Sequence, residues 1–325
     1  MFYLPLISVF EEHLGNYCKT ILQQKPIELY EPETYILNLG GKRIRPLLVL
    51  IGCDLFEKNY NKALDAALSV ELFHNFSLLH DDILDAAPLR RNKPTVHTKW
   101  NTNIAILSGD VMLVKAFKLL EHYDEFTFKQ LSKLFSTTSI EVCEGQQEDM
   151  NFENRTDVTV DEYLNMITKK TAVLLGCSLQ MGAICANASE NNQQALYKFG
   201  KHIGIAFQLL DDYLDAFAPD ADKFGKQVGG DIIANKKTYL LLKALSIANN
   251  EQKESIKKLF NENNSVEKVK QMLSIYKDIN IQLLCQQAAN EHTKIAIDAL
   301  NELNINQNKK TDLINFANQL LQRNV

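Results

Sequence analysis

Long apolar runs are missing from this chain: none reaches the roughly 18 residues that a membrane-spanning helix requires. Alternating apolar and polar stretches of the β-strand kind are scarce. The six cysteines (Cys18, Cys53, Cys143, Cys177, Cys185 and Cys285) form no CxxC and no paired spacing. That argues against zinc ligands or disulfides and for reduced, mostly buried thiols. No basic stripe is present and the formal net charge is −5, so nucleic acid is not an expected partner. No Pro/Gly/Ser-rich linker interrupts the 325 residues, and the expectation is one large domain spanning 1–325. The opening MFYLPLISVFEEH has no positively charged start and soon meets Glu11 and Glu12. It reads as an amphipathic first helix rather than a signal peptide, with the cytoplasm as the expected location.

What the chain does have is helical periodicity nearly throughout, in a composition 46% hydrophobic and 23% charged that can fill a large core. Helices are expected at about 5–24, 27–39, 44–57, 60–86, 101–122, 125–149, 160–187, 190–217, 236–249, 252–261, 265–304 and 308–323. The fold class is therefore all-α. Pro46 suits a first helical turn, and Asp161 and Ser265 mark later helix starts.

Within this pattern one acidic pentapeptide occurs twice, DDILD at Asp81–Asp85 and DDYLD at Asp211–Asp215. Positions i and i+4 of a helix share a face, so Asp81 stands over Asp85 and Asp211 over Asp215. Like charges so placed destabilise a bare helix by a few tenths of a kcal/mol per pair. A hard, oxygen-seeking cation such as Mg²⁺ relieves that repulsion. Either motif alone could equally be a solvated acidic face; the repetition in apolar surroundings favours metal. Six carboxylates aimed into one cavity would suit a metal-bridged diphosphate.

Basic clusters accompany the acidic ones: Lys42, Arg43 and Arg45 in GGKRIRP, Arg90 and Arg91 between Pro88 and Pro94, Lys169, Lys170 and Thr171 in KKT, and Lys226, Lys236 and Lys237 in GKQVGGDIIANKK. Arginine grips phosphate oxygens as a fork and lysine as a point charge. Arg43, Lys169 and Lys237 read as solvated surface cations. The rest fit a collective role. Six aspartates carry about −6, which three divalent ions would cancel. Two diphosphates add roughly −6, against about +7 from Lys42, Arg45, Arg90, Arg91, Lys170, Lys226 and Lys236.

GGKRIRP, LLHDDILDAAPLRRNKPTVH, KKT, FQLLDDYLD and GKQVGGDIIANKKTYL stand in an order and spacing that resemble the trans (E-type) polyprenyl diphosphate synthases of the farnesyl and geranylgeranyl kind. The motifs run from Gly40 to Leu240, and the whole length fits. The resemblance implies a helical bundle of the isoprenoid synthase type with a central active-site cavity. It implies about three Mg²⁺ ions held by Asp81, Asp85 and Asp211, with Asp82, Asp212 and Asp215 in supporting or outer positions. Arg90, Lys170, Lys226 and Lys236 align with the cations on the allylic diphosphate, and Lys42, Arg45, His74 and Arg91 with those on isopentenyl diphosphate. His74 lies about two helical turns before Asp81, which lets it point the same way; taken alone, such a histidine is more often a core residue. Phe207, Gln208 and the carbonyls near Lys170 and Thr171 match groups that steady the carbocation, although Phe207 could equally pack in the core. The Gly225–Gly230 segment and the C-terminal tail are candidates for closing over the site.

The implied reaction condenses isopentenyl diphosphate with dimethylallyl, geranyl or farnesyl diphosphate, head to tail, in a homodimer. Product length in the family follows bulk below the first motif. Phe76 is five residues before Asp81, roughly 7–8 Å along the helix, and the small Ser77 follows it. That pairing, without the two-residue insertion of some relatives, resembles the short-chain pattern, with C20 favoured over C15. Phe76 could instead merely pack against a neighbouring helix. A terpene cyclase would lack GGKRIRP and a full second DDxxD, head-to-head synthases use DxxxD, and a non-catalytic partner subunit would have lost aspartates.

Overall fold

The computed structural model describes residues 3–218 and 229–321. Lys226 and Gly225 lie outside them. The described residues are mostly helical, and the strands among them form one short two-stranded hairpin. No described helix is long and apolar enough to cross a membrane. The chain groups into two compact units, 1–136 with 177–196, and 137–176 with 197–325.

In the first unit the organising element is the helix Leu64–Leu84, which carries the first aspartate motif at its end. Leu68, Glu71, Leu72, Asn75, Phe76 and Leu79 are all buried, the i, i+3, i+4 stripe of a helix packed on its neighbours. Two members of that stripe are polar, and they answer each other, although the buried Asn75 Oδ1 finds no partner. Glu71 accepts from the Arg43 guanidinium, and Asn75 donates to Glu71 Oε1 at 2.9 Å. The helix stops in a Schellman turn: Ala86 has φ 49°, its N–H bonds Ile83 O, and the Ala87 N–H bonds Asp82 O at 2.9 Å. Asp85 N–H still reaches Asp81 O at 2.9 Å, so the motif keeps its helical phase to its last residue.

The second unit is built on a core of Tyr163, Met166, Ile167, Leu209, Leu240, Tyr276 and Cys285. The helix Val160–Ile167 starts with a capping box, Thr159 and Glu162 each satisfying the other's backbone N–H. A π-turn, Thr168–Ala172, follows directly and leads into the helix Val173–Cys185. The helix Glu190–Phe217, which carries the second motif, has the bounds its periodicity predicts.

Elsewhere the structure departs from the sequence reading. The expected helix 265–304 is two helices, Ser265–Asp278 and Ile281–Asn301, parted where Asn280 takes φ 56°. Asparagine tolerates that left-handed conformation better than most residues. The expected helix 60–86 begins with a 3₁₀ turn, Tyr60–Ala63. The helix expected from 236 is Tyr239–Ile247, preceded by the short helix Gly230–Ile233. The Arg90–Arg91 stretch, expected as a loop, is an antiparallel hairpin pairing Leu89 with Pro94 and Arg90 with Lys93. Its two-residue turn, Arg91-Asn92, has φ 52° and 60°, the backbone of a type I′ turn. Of the six cysteines, all free, five are buried and Cys143 is exposed.

Candidate active site

The first unit gathers cations around His74. Arg45 Nη1 lies 3.2 Å from His74 Nε2. Guanidinium only donates, so Nε2 must accept and the imidazole proton sits on Nδ1. Burial, then Arg45, Arg91, Arg90 and Arg43, hold His74 well below the ordinary imidazole range, so the ring is neutral. Burial also lowers Arg45 to about 10, and its buried Nε has no hydrogen-bond partner. Burial likewise lowers Arg91, with Arg43 adding repulsion. Glu71, which offsets this charge, is already engaged by Arg43. The cluster is therefore a place that favours an anion.

Local backbone explains how these groups are presented. Gly41, at φ 139°, lets the Arg91 fork lie against the chain; a Cβ there would come within 2.8 Å of Arg91 Nη2. Thr95 closes the hairpin by donating its N–H to Pro88 O and its hydroxyl to Ala87 O. Arg90 in turn is held by a bidentate pair on Asp82, Nε to Oδ2 and Nη2 to Oδ1, both 2.8 Å. Asp82 is buried and both its oxygens serve Arg90, while Asp85 is exposed and Asp81 half-buried. Lys42 is exposed.

Arg43 was expected as a solvated cation, and the structure reverses this. It is 7% exposed, with Nε on Glu11 at 2.9 Å, Nη1 on Glu71 and Nη2 on Leu37 O at 2.6 Å. Its partners are 32, 28 and 6 residues away, out of reach of any local sequence pattern. Its work is to fix the loop that presents Lys42 and Arg45.

Phe76 is buried, with its ring 5.7 Å from Phe73 and edge-on to His80 at 4.7 Å. Phe73 continues this aromatic group to Phe135 at 5.4 Å. The Ser77 hydroxyl bonds back to His74 O at 2.8 Å and so adds no bulk beyond its own helix.

The second unit gathers carboxylates around two lysines. Lys170, on the π-turn, donates to Asp149 at 2.7 Å. Lys169 pairs with Glu144 and Glu148 on the surface, as expected of it, and Lys237 reaches only Glu153 O at 3.2 Å. Burial works against the charge of Lys236, but Asp231, Asp149, Asp212 and Asp211 outweigh it and raise its pKa. The two supporting aspartates of the second motif pin the segment that carries Lys236. Asp215 Oδ2 accepts the Asp231 N–H at 3.0 Å, and Asp212 Oδ2 accepts the Tyr239 N–H at 3.1 Å. Asp212 also receives the Tyr163 hydroxyl and the Gln208 amide. Burial pushes its carboxyl up to about 7, against the pull of Tyr163. Gln208, expected to steady a carbocation, thus has its amide on Asp212, at 3.3 Å. Thr171 stands half-buried in the π-turn, where the wider spacing leaves carbonyls out of α-register.

Two residues of this group escaped the sequence reading: Asp149 and Gly145. Both lie on the helix Glu125–Glu153. A Cβ on Gly145 would come within 2.3 Å of Lys170 N, so only glycine lets this helix approach the π-turn so closely. The signal was available: glycine inside a long helix costs about 1 kcal/mol relative to alanine, and a costly residue marks a close approach.

The donor set suits Mg²⁺. Each motif offers carboxylate oxygens alone, at i and i+4. Among the described residues no three His, Cys, Asp or Glu side chains converge on one point. Mg²⁺ is commonly held by one or two carboxylates with substrate phosphates and water completing its shell.

Comparison with known proteins agrees with this chemistry. The polyprenyl synthetase family model matches residues 26–276. A crystal structure of a geranylgeranyl pyrophosphate synthase superposes with a TM-score of 0.91 at 46% identity, covering 98% of this chain and 99% of that one. The geranylgeranyl diphosphate synthase of Methanosarcina mazei is 41% identical over 222 residues, 68% of each chain. The short chain isoprenyl diphosphate synthase of Methanocaldococcus jannaschii is 39% identical over 274 residues, 84% of this chain and 82% of that one. The chain belongs to the polyprenyl synthetase family. It has that family's all-α fold and is a prenyl-transferring enzyme.

Proposed function

We propose that this chain is a short-chain trans-prenyltransferase that condenses isopentenyl diphosphate with dimethylallyl, geranyl and farnesyl diphosphates and releases geranylgeranyl diphosphate (C20). The observation that carries the reading is the under-compensated cluster of Arg45, neutral His74 and Arg91, with a buried Arg45 Nε left unbonded. An enzyme with one phosphorylated substrate has no use for it in addition to the Lys170 and Lys236 group. A condensing enzyme needs both.

In this reading Lys42, Arg45, His74 and Arg91 hold isopentenyl diphosphate, the neutral imidazole donating from Nδ1. Arg90, Lys170, Lys226 and Lys236 hold the allylic diphosphate. Asp81, Asp85 and Asp211 would hold about three Mg²⁺ ions, with Asp82 and Asp215 in support. When bound, the metal offsets negative charge on the leaving diphosphate. The cations stabilise that group as the allylic C–O bond breaks. The double bond of isopentenyl diphosphate then attacks the allylic carbon, and the departing pyrophosphate takes the proton. Carbonyls of the Lys170–Thr171 turn, together with Phe207 and Gln208, steady the cation. Water must be kept out, since it would trap the cation as an alcohol.

Phe76 sets the length: its ring floors the growing chain, and Ser77 leaves room for a fourth isoprene unit. The names of the related synthases support C20. The chain works as one synthase domain over 1–325, in the cytoplasm and as a homodimer. Incubating the protein with isopentenyl diphosphate, Mg²⁺ and C5, C10 or C15 primers should give C20 product. Phe76→Ala should release longer chains, and an unchanged distribution would remove Phe76 as the floor. A C15 product from the parent enzyme would make it a farnesyl diphosphate synthase instead.

A further inference from the structure

Lys268 belongs to no motif, yet it is 3% exposed on the helix Ser265–Asp278. Its Nζ donates to Ile233 O at 3.0 Å. Burying an ammonium is costly unless it gains strong bonds, and methionine would fill the same space more cheaply. The bond it makes is to the last carbonyl of the short helix Gly230–Ile233, one of the terminal acceptors that a helix cannot satisfy internally.

That short helix delivers Lys236 to the aspartates. Lys236 N–H bonds Asp231 O at 2.9 Å, so its backbone moves with the turn. The stretch from Gly229 to Tyr239 is anchored at its start by Asp215 and at its end by Asp212. Lys268 anchors the middle. The next residue, Val269, shapes the start as well: Gly229 has φ 80°, and a Cβ there would come within 2.8 Å of both Val269 methyls. One helical turn of Ser265–Asp278 therefore grips both ends of the Gly230–Ile233 turn. Asn235, at φ 55°, adds a bond from Nδ2 to Phe260 O at 3.1 Å.

We propose that Lys268 is a positioning residue for the allylic diphosphate: by holding the Gly230–Ile233 turn it keeps Lys236 in place among Asp149, Asp211, Asp212 and Asp231. The inference rests on the prenyl-transfer reading, and the wild-type assay separates the two. An inactive wild-type enzyme overturns both; an active one isolates Lys268. Steady-state kinetics of Lys268→Met should then show KM for the allylic diphosphate raised about 10-fold, with KM for isopentenyl diphosphate changed less than about 2-fold. Lys236→Met should raise the allylic KM too. The double variant should be no worse than Lys236→Met alone, because both changes act through one ammonium. Unchanged allylic KM in Lys268→Met, or losses that multiply in the double variant, would overturn the proposal. Should Lys268→Met fail to fold, Lys268→Gln keeps a neutral donor and decides the matter. A rise of about 3-fold in the allylic KM alone supports the role, and no rise overturns it.

Discussion

The two aspartate motifs share the pattern DDxLD and differ in what their second carboxylate does. Asp82 is paired to a full cation, Arg90, by two parallel bonds. Asp212 has neutral partners at bonding distance, the Tyr163 hydroxyl, the Tyr239 N–H and the Gln208 amide. Both are buried. The first arrangement stores an arginine in position; the second fixes a backbone segment and, through it, Lys236. Two pentapeptides of one pattern thus each place a cation, one through an ion pair and one through a peptide hydrogen bond. The motif supplies carboxylates at a fixed spacing, and the packing around it decides which of them are engaged by protein groups.

That contrast can be broken from several sides. The largest effect should come where the motifs are alike. Asp81→Ala and Asp211→Ala should each lower kcat by about 10³-fold, as removal of a principal electrostatic contributor does. Near-normal rates would defeat their assignment as ligands. Removing Arg90 should separate the motifs. Arg90→Met strands the buried Asp82 carboxylate and should destabilise the fold by about 3 kcal/mol in urea melts. Tyr163→Phe, which removes one neutral bond from Asp212, should lose only about 1 kcal/mol. Gly145→Ala should cost about 1–3 kcal/mol by forcing the helix Glu125–Glu153 off the Lys170 turn. A rise in the allylic KM would be its kinetic mark.

A further test is a slope with pH. Asp212 titrates at about 7 in the folded chain against 3.8 for an ordinary aspartate. A carboxyl that holds its proton more tightly when folded adds stability below about pH 4 and loses it as pH rises through 7. Metal-free wild-type protein should therefore lose stability from this group between pH 5 and 7.5. Asp212→Asn, which cannot ionise, should lack that part of the slope in urea midpoints measured across the range.

Much of the fold was legible because it depends on local periodicity. The 28 residues of Glu190–Phe217 keep one apolar stripe from end to end, and sequence and structure agree on both bounds. Two of the misses turn on residues in an unusual backbone state, and a third on partners distant in sequence. Asn280 breaks a helix whose apolar pattern runs straight through it. Arg91-Asn92 makes a type I′ turn without the usual glycine, and no alternation in LRRNK announces strands. Arg43 looked solvent-facing because Glu11 and Glu71 are distant in sequence. The residues proposed for metal and phosphate could be named from the sequence for the opposite reason, since the types and spacing such ligands demand are dictated by chemistry rather than by packing. Asp149, with no repeated spacing to announce it, could not.

The π-turn at Thr168–Ala172 carries a consequence for how this helix can change. A wider turn accommodates one residue more than an α-turn, and each residue advances the helix by about 100°. Deleting one residue there would restore an unbroken α-helix with the flanking stretches still in phase, while residues inside the turn would shift by one place, about 100° around the axis. Lys170 would then be carried away from Asp149, while the deep apolar face of Val173–Cys185 kept its neighbours. Substitution can tune this lysine, but the loss of a residue would reassign it outright, so the segment should tolerate exchange far better than a change in length.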